Sequence, residues 1–463
     1  MAEIRPFRGI RYDPSAVPID SVVTPPYDVI SPEERRRYHA RHPQNVIRLI
    51  LGEEYPSDSA ADNRYTRAFA YWRRWRQEGV LKEETAASYY VYRQRFTLDG
   101  REYTRLGFLA RLRLVPFASG IVRAHEETHS APKEELFALL TATAANFSPV
   151  WALYNDPDQT TRACLLAVTE RQPVYRFNDG AGVTQELWVV SEVEGEPLRR
   201  VLAEQPVVIA DGHHRYESRL RYQAQRAAVA PGSDLRNAGW NYSLTYFLAV
   251  EDPGLVVLPT HRLLRVLGGG SMEKRSLLES FGDLVRPFQV TQLRPAAVSR
   301  SAGAAGRMAD ELALDSVVTA GLASLRQVGE ERPAFVVVSA TGESLLFTLA
   351  DDEAMRQAAP ERSDTWRQLD VAVLHRLFLD PWREKTKASE LYYTQSPRQV
   401  VLDLARGGTD GGADLAVLMR PTRAQQVADI AAQGEKMPPK STFFHPKLLT
   451  GLVMDDLEVP AER

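Results

Sequence analysis

The chain has 463 residues, 44% of them apolar and 25% charged, enough for a large core in two or three domains and ordinary for a soluble globular protein. Lys and Arg number 57 against 60 Asp and Glu, a formal charge of −3, so no general attraction to nucleic acid or an anionic membrane is expected. The single cysteine, Cys164, excludes an intrachain disulfide framework; residues 1–10 lack the apolar run of a signal peptide and no stretch approaches a membrane span, so a cytoplasmic location is expected.

Residues 1–30 are rich in proline and β-branched side chains and close with Thr24-Pro25-Pro26-Tyr27-Asp28-Val29-Ile30. The prolines set an extended path that presents Tyr27 and Asp28 at a defined place, as a rigid turn or as part of a site wall. Ser31-Pro32-Glu33-Glu34 is a helix start, with a cap, a proline at the first position and carboxylates in the first turn. Residues 45–51 read as a strand. A helix is expected over 62–77, where Tyr65, Phe69, Trp72 and Trp75 recur at the spacing of a core-facing stripe; basic neighbours allow a nucleic-acid reading, but the spacing favours core. Strands at 88–98 and 102–114 are joined through Asp99-Gly100, a strong hairpin signal.

Next come Ile121-Val122-Arg123-Ala124-His125-Glu126-Glu127-Thr128-His129 and a helix expected from about 132 to 145. A carboxylate here can act as a base or bind a divalent cation. His125-Glu126-Glu127-Thr128-His129 also matches the His-Glu-x-x-His zinc pattern, but that pattern belongs inside a helix, and Pro132 marks a helix start only after it. A strand follows over 146–156, and Cys164 falls in a helix as a small buried hydrophobe.

The strongest stretch is Val207-Val208-Ile209-Ala210-Asp211-Gly212-His213-His214-Arg215-Tyr216-Glu217. Four apolar residues make a short buried strand, Asp211-Gly212 a tight turn, and residues 214–230 a helix. Backbone N–H groups and the positive end of the helix dipole meet at such a turn and receive an anion well. The carboxylate, two imidazoles and guanidinium placed there suit holding a phosphate while a proton is moved, although Asp-Gly is also a common plain turn.

Strands are expected at 241–250 and 256–258, followed by Pro259-Thr260-His261-Arg262, a second His-Arg pair that either supports the site or is purely structural. Gly268-Gly269-Gly270-Ser271 is the candidate domain joint. The rest reads as mixed α/β, with helices near 272–280, 300–326, 369–379 and 422–432 and strands near 333–339 and 344–349. It ends in Gly434-Glu435-Lys436-Met437-Pro438-Pro439-Lys440-Ser441-Thr442-Phe443-Phe444-His445-Pro446-Lys447. Pro439 stands where a Walker loop needs glycine, so that loop is excluded, while Lys440, Ser441 and Thr442 can still bind phosphate through side chains. The fold class expected is mixed α/β, with regions 1–115, 116–267 and 268–463.

Three clusters in this order, His125-Glu126, Asp211-Gly212-His213-His214-Arg215 and Pro439-Lys440-Ser441-Thr442, resemble the archaeal free serine kinases of the ParB and sulfiredoxin-like superfamily. From about residue 4 to 452 the chain also resembles a large bacterial family of unassigned function, marked by Pro-Pro-Tyr-Asp-Val-Ile, Ala-Asp-Gly-His-His-Arg-Tyr-Glu, Leu-Pro-Thr-His-Arg and Pro-Lys-Ser-Thr. The kinase resemblance is confined to the three motifs. Ala124 and Ser441 stand where those kinases have proline and threonine, and this chain is much longer.

The resemblance implies a ParB/sulfiredoxin-like core at 116–267 with α/β elaborations on either side. It implies phosphoryl transfer from ATP or ADP, with Mg2+, to a small hydroxyl compound, L-serine foremost, by a protein that admits a homodimer. Glu126 and Asp211 match the catalytic carboxylates, Glu126 as base and Asp211 either holding magnesium or sharing the base role. Gly212, His213, His214 and Arg215 fall on the nucleotide-phosphate turn, and Lys440, Ser441 and Thr442 on a segment expected to hold the transferred group. His125, Thr128, Tyr27, Asp28, His261 and Arg262 are supporting candidates. The alternatives are a ParB-like nucleotide clamp, which would need a DNA-reading domain and a basic face, and a zinc hydrolase using His125 and His129.

Overall fold

Asp99 and Gly100 both take positive φ, 50° and 77°, the backbone a tight hairpin turn requires. They join Ser88–Leu98 to Arg101–Arg113 in antiparallel register, the centre of the larger of two sheets in the mixed α/β chain. The computed structural model describes residues 1–127, 130–229, 235–266, 276–293, 304–329, 332–386 and 389–461. Their contacts gather into two units, Met1–Val256 with Phe444–Arg463, and Val257–Phe443.

In the first unit the sheet order is Val122–Ala124, Val207–Asp211, Val150–Tyr154, Tyr242–Ala249, Arg101–Arg113, Ser88–Leu98, Thr184–Ser191, Tyr175–Asn178, and Ile4–Arg5 also pairs with Arg101–Arg113. Two pairings are parallel, Val122–Ala124 with Val207–Asp211 and Val150–Tyr154 with Tyr242–Ala249. One face packs Val91, Phe108, Ala152, Trp188, Ile209 and Phe247 into a common apolar cluster. The helices Ser130–Thr143 and His213–Val229 lie against each other, and Lys133 Nζ donates to Glu217 Oε2 at 2.9 Å between them.

The second unit has its own sheet, ordered Phe288–Leu293, Ser344–Leu349, Ala334–Ser339, Leu415–Leu418, His261–Val266, Ser389–Thr394, with every pairing antiparallel. The helix Ala304–Gln327 buries Leu314, Val317, Val318 and Leu325 with Val336, Val338 and Leu346. Phe281, Phe288, Phe335, Phe347 and Phe378 form a separate aromatic cluster.

Several expectations are corrected here. Residues 45–51 are not a strand but enclose the short helix Ile47–Ile50, started by Asn45 Oδ1 accepting from the Ile47 N–H at 2.9 Å; a brief apolar run does not distinguish a strand from one buried helical turn. In Arg64–Gln77, Trp72 and Trp75 are buried as expected, but Phe69 is 39% exposed. Cys164 is half-buried, its thiol directed to the Glu194 carbonyl at 3.4 Å. The boundaries expected at 115 and 267 do not match the units, because the sheet hydrogen bonds unite residues on both sides of 115. Gly268–Ser271, the expected joint, lies outside the described residues.

The carboxyl-terminal segment is bound into the first unit by Arg111, which donates from Nε and Nη2 to Asp455 Oδ1 at 3.0 and 2.8 Å. Both side chains are almost wholly buried, 2% and 0% exposed, so removing one leaves an uncompensated interior charge. Asp455→Ala is expected to lower the unfolding free energy by about 3–5 kcal/mol, read as an earlier urea midpoint; an unchanged midpoint would contradict this account.

Candidate functional site

Val207–Asp211 is buried through Ala210 and ends in a register shift between Ile209 and Asp211 against Val150–Tyr154. A bulge of this kind re-aims the side chain that follows it, here the Asp211 carboxylate. Gly212 then turns the chain at φ 91°, where an added Cβ would come within 2.9 Å of Arg215 Nε. Glycine therefore supplies both the left-handed backbone and the room for Arg215 to fold back. The helix His213–Val229 begins at once, so His213, His214 and Arg215 occupy its first turn.

Asp211 is held by two cations. Arg215 Nη2 donates to its Oδ2 at 2.7 Å and Lys447 Nζ to its Oδ1 at 2.8 Å. Burial works against the ionised carboxylate, but Lys447, Arg215 and His213 outweigh it and hold Asp211 well below the usual carboxylate range. Arg215 also donates from Nη1 to the Pro149 carbonyl. Lys447 is placed by the fully buried Arg105, which donates to the carbonyls of His445 at 3.0 Å and Pro446 at 2.6 Å.

Glu126 stands at the end of the neighbouring parallel strand. Ile209 pairs with Ala124, so Glu126 and Asp211 each lie two residues beyond a paired position, at the carboxyl ends of adjacent strands. Between them His125 is buried, its Nδ1–H donating to the Ile209 carbonyl at 2.7 Å. Its backbone N–H points to His213 Nε2 at 3.4 Å, and the two rings meet edge-on with centroids 4.6 Å apart. Burial is the largest influence on His125 and lowers its pKa against the opposing pull of Glu126, the Ile209 carbonyl and Asp211.

Beside Arg215 lies a cavity of about 50 Å3, walled by Tyr27, Arg64, Asn146, Ser148 and Arg219 among others, with room for a few water-sized groups. Tyr27 thus joins the site region; burial, followed by the nearby Asp28, pushes its phenol pKa up. Asp28 itself is exposed. Arg219 is 4% exposed and donates to Ser243 Oγ, the Leu244 carbonyl and the Ser148 carbonyl.

His261, Arg262, Lys440, Ser441 and Thr442 belong to the second unit, where Arg262 Nη2 donates to the Lys440 carbonyl at 3.2 Å and Thr422 Oγ1 to the Ser441 carbonyl at 2.8 Å. Thr128 and His129 lie outside the described residues. Of the zinc pattern, His125, Glu126 and Glu127 precede the helix Ser130–Thr143, and His125 commits Nδ1 to a carbonyl. Among the described residues no group of three or more His, Cys, Asp and Glu can hold a metal ion. Asp211 does not fit as a magnesium ligand in this arrangement, because each of its oxygens already faces a cation.

Sequence reasoning assigned no part to Lys447, Arg219 or Arg105. For Lys447 the sequence carries a signal: Pro446-Lys447 repeats, seven residues on, the Pro439-Lys440 pair. Nothing local separates the two pairs, and only strand pairing and the Arg105 hydrogen bonds bring the second to Asp211.

The fold and this strand–turn–helix site define a mixed α/β protein with a cation-clamped carboxylate at a helix amino terminus. A family model described as "Protein of unknown function (DUF1015)" matches residues 4–372, and the chain belongs to that family. No curated relative matches the chain. Among solved structures it is similar to a conserved hypothetical protein from Pyrococcus furiosus, at 14% identity over 71% of this chain and 89% of that one, TM-score 0.32. It is similar to a free serine kinase variant in complex with ADP at 13% identity over 70% and 84%, TM-score 0.32. A third is SbnI with a C-terminal truncation from Staphylococcus aureus, at 9% identity over 76% and 87%, TM-score 0.31.

The depressed pKa of Asp211 gives a signed pH dependence. Its pairing stabilises the fold fully above the ordinary carboxylate pKa of about 4, and the contribution is lost as pH falls from there toward the lower folded value. Asp211→Asn is expected to melt below the wild type at pH 7, with the gap narrowing under about pH 4. Melting curves taken across pH check this, and a gap that widens in acid would refute it.

Proposed function

We propose that this protein is a nucleotide-dependent kinase that moves a phosphoryl group from ATP or ADP to a small hydroxyl compound, with L-serine the first candidate. The observation that carries the reading is the Asp211 carboxylate clamped between Arg215 and Lys447 at a helix amino terminus, one strand from Glu126. Phosphoryl transfer asks a protein mainly for positioning and charge neutralisation, and the turn concentrates both. The motif resemblance supports the same assignment.

In this reading the donor phosphates lie over the Gly212–Arg215 backbone, where helix N–H groups, Arg215, His213 and His214 receive them. The acceptor oxygen attacks the terminal phosphorus in line and its proton passes to Glu126. The bond from phosphorus to the bridging oxygen breaks with its electron pair, releasing ADP from ATP or AMP from ADP. Lys447 and Arg215 offset the charge that develops, and Asp211 is a positioning residue that holds both cations ready. Magnesium, where it accompanies the nucleotide, would neutralise phosphate charge; Asp211, clamped by two cations, would not hold it. The cavity beside Arg215 suits a small acceptor, with Tyr27 in its wall. His125 orders the strand end that carries Glu126.

Incubation of the purified protein with L-serine and either nucleotide, followed by phosphorus NMR, is expected to yield phosphoserine. Glu126→Ala should lower the rate by about 10²–10⁴, and Lys447→Met should lower kcat/KM by about 10²–10³ with the fold intact. If neither nucleotide gives product, or if Glu126→Ala turns over as fast as the wild type, the kinase reading fails.

A further inference from the structure

The second unit contains a cleft of about 350 Å3 whose wall includes Arg262, Arg326, Arg420, Arg423, Asp370 and Ser441. That volume is in the range of small-molecule sites. Among the described residues lining it, four arginines face one carboxylate, and Asp370 is engaged by Arg420 through a bidentate pair at 2.7 and 2.6 Å. The wall is therefore strongly cationic in a chain whose formal charge is −3.

Arg262 is the telling member. It is 1% exposed, and its guanidinium donates only to the carbonyls of Thr260 and Lys440, with Nε lacking a hydrogen-bond partner. No carboxylate forms an ion pair with it among the described residues. Interior cations are normally paired, because removing the charge from water is costly. Burial accordingly lowers the Arg262 pKa to about 10. The helix Ala424–Ala432 begins at the same cleft, with Arg423 at its cap and Gln426 in its first turn both lining it, so its dipole adds positive potential. Hydroxyls of Thr260, Thr422 and Ser441 supply neutral hydrogen-bonding groups.

We propose that this cleft binds a phosphorylated small molecule, whose oxygens meet Arg262, Arg326 and Arg423 and the amino terminus of Ala424–Ala432. The assignment stands apart from phosphoryl transfer at Asp211 and is read by binding rather than by turnover.

The test is calorimetric titration of the full-length protein with pyrophosphate. Wild type is expected to bind, more weakly as salt rises. Arg326→Ala combined with Arg423→Ala, both at exposed positions, should weaken binding about tenfold or more, with an unchanged melting curve showing that the fold is kept. Lys447→Met, which alters the other phosphate candidate, should retain this binding. Absence of wild-type binding, equal binding by the double variant, loss in Lys447→Met alone, or equal affinity for citrate would each overturn the assignment.

Discussion

The buried Asp211 carboxylate is the point on which the described site turns. It gathers a guanidinium from the first turn of the helix that follows it and an ammonium from 236 residues further along the chain. Neither cation alone would offset burial of the carboxylate as well as both do, and without Asp211 the two positive charges would repel across a small space. The bulge before Asp211 and the left-handed Gly212 exist at the one place where the strand must stop and its last side chain must face two partners.

That arrangement makes the carboxyl-terminal segment part of the site. Arg105 holds the carbonyls of His445 and Pro446, Arg111 holds Asp455, and Phe444 packs against Trp151 with ring centroids 5.2 Å apart. These contacts deliver Lys447 to Asp211, so the charge balance at the turn depends on the docking of residues near the chain's end. The first unit is assembled from its amino-terminal stretch and a short closing segment, with the second unit inserted between them in sequence.

The two arginine-rich regions differ in a way that bears on function. At the turn, Arg215 and Lys447 share a carboxylate that already offsets their charge. In the second unit Arg262 has carbonyls where an anion would be expected. The first pattern suits cations held in place for a reaction, and the second suits a standing receptor for a charged ligand.

Local patterns determined much from sequence alone. The run Val207–Ala210 with Asp211-Gly212, the Asp99-Gly100 hairpin and the Ser31 capping box were all legible, because periodicity, positive-φ residues and caps act over a few neighbours. So was the pairing of Glu126 and Asp211 as candidates, through motif resemblance. Tertiary structure alone decided that residues 47–50 are helical, that Phe69 faces outward, that Lys447 rather than another lysine reaches Asp211, and that Lys440, His261 and Arg262 lie in a different unit. The placement of Lys447 depends on hydrogen bonds and ion pairs between residues hundreds of positions apart, and no local spacing encodes which distant partner a buried charge will find.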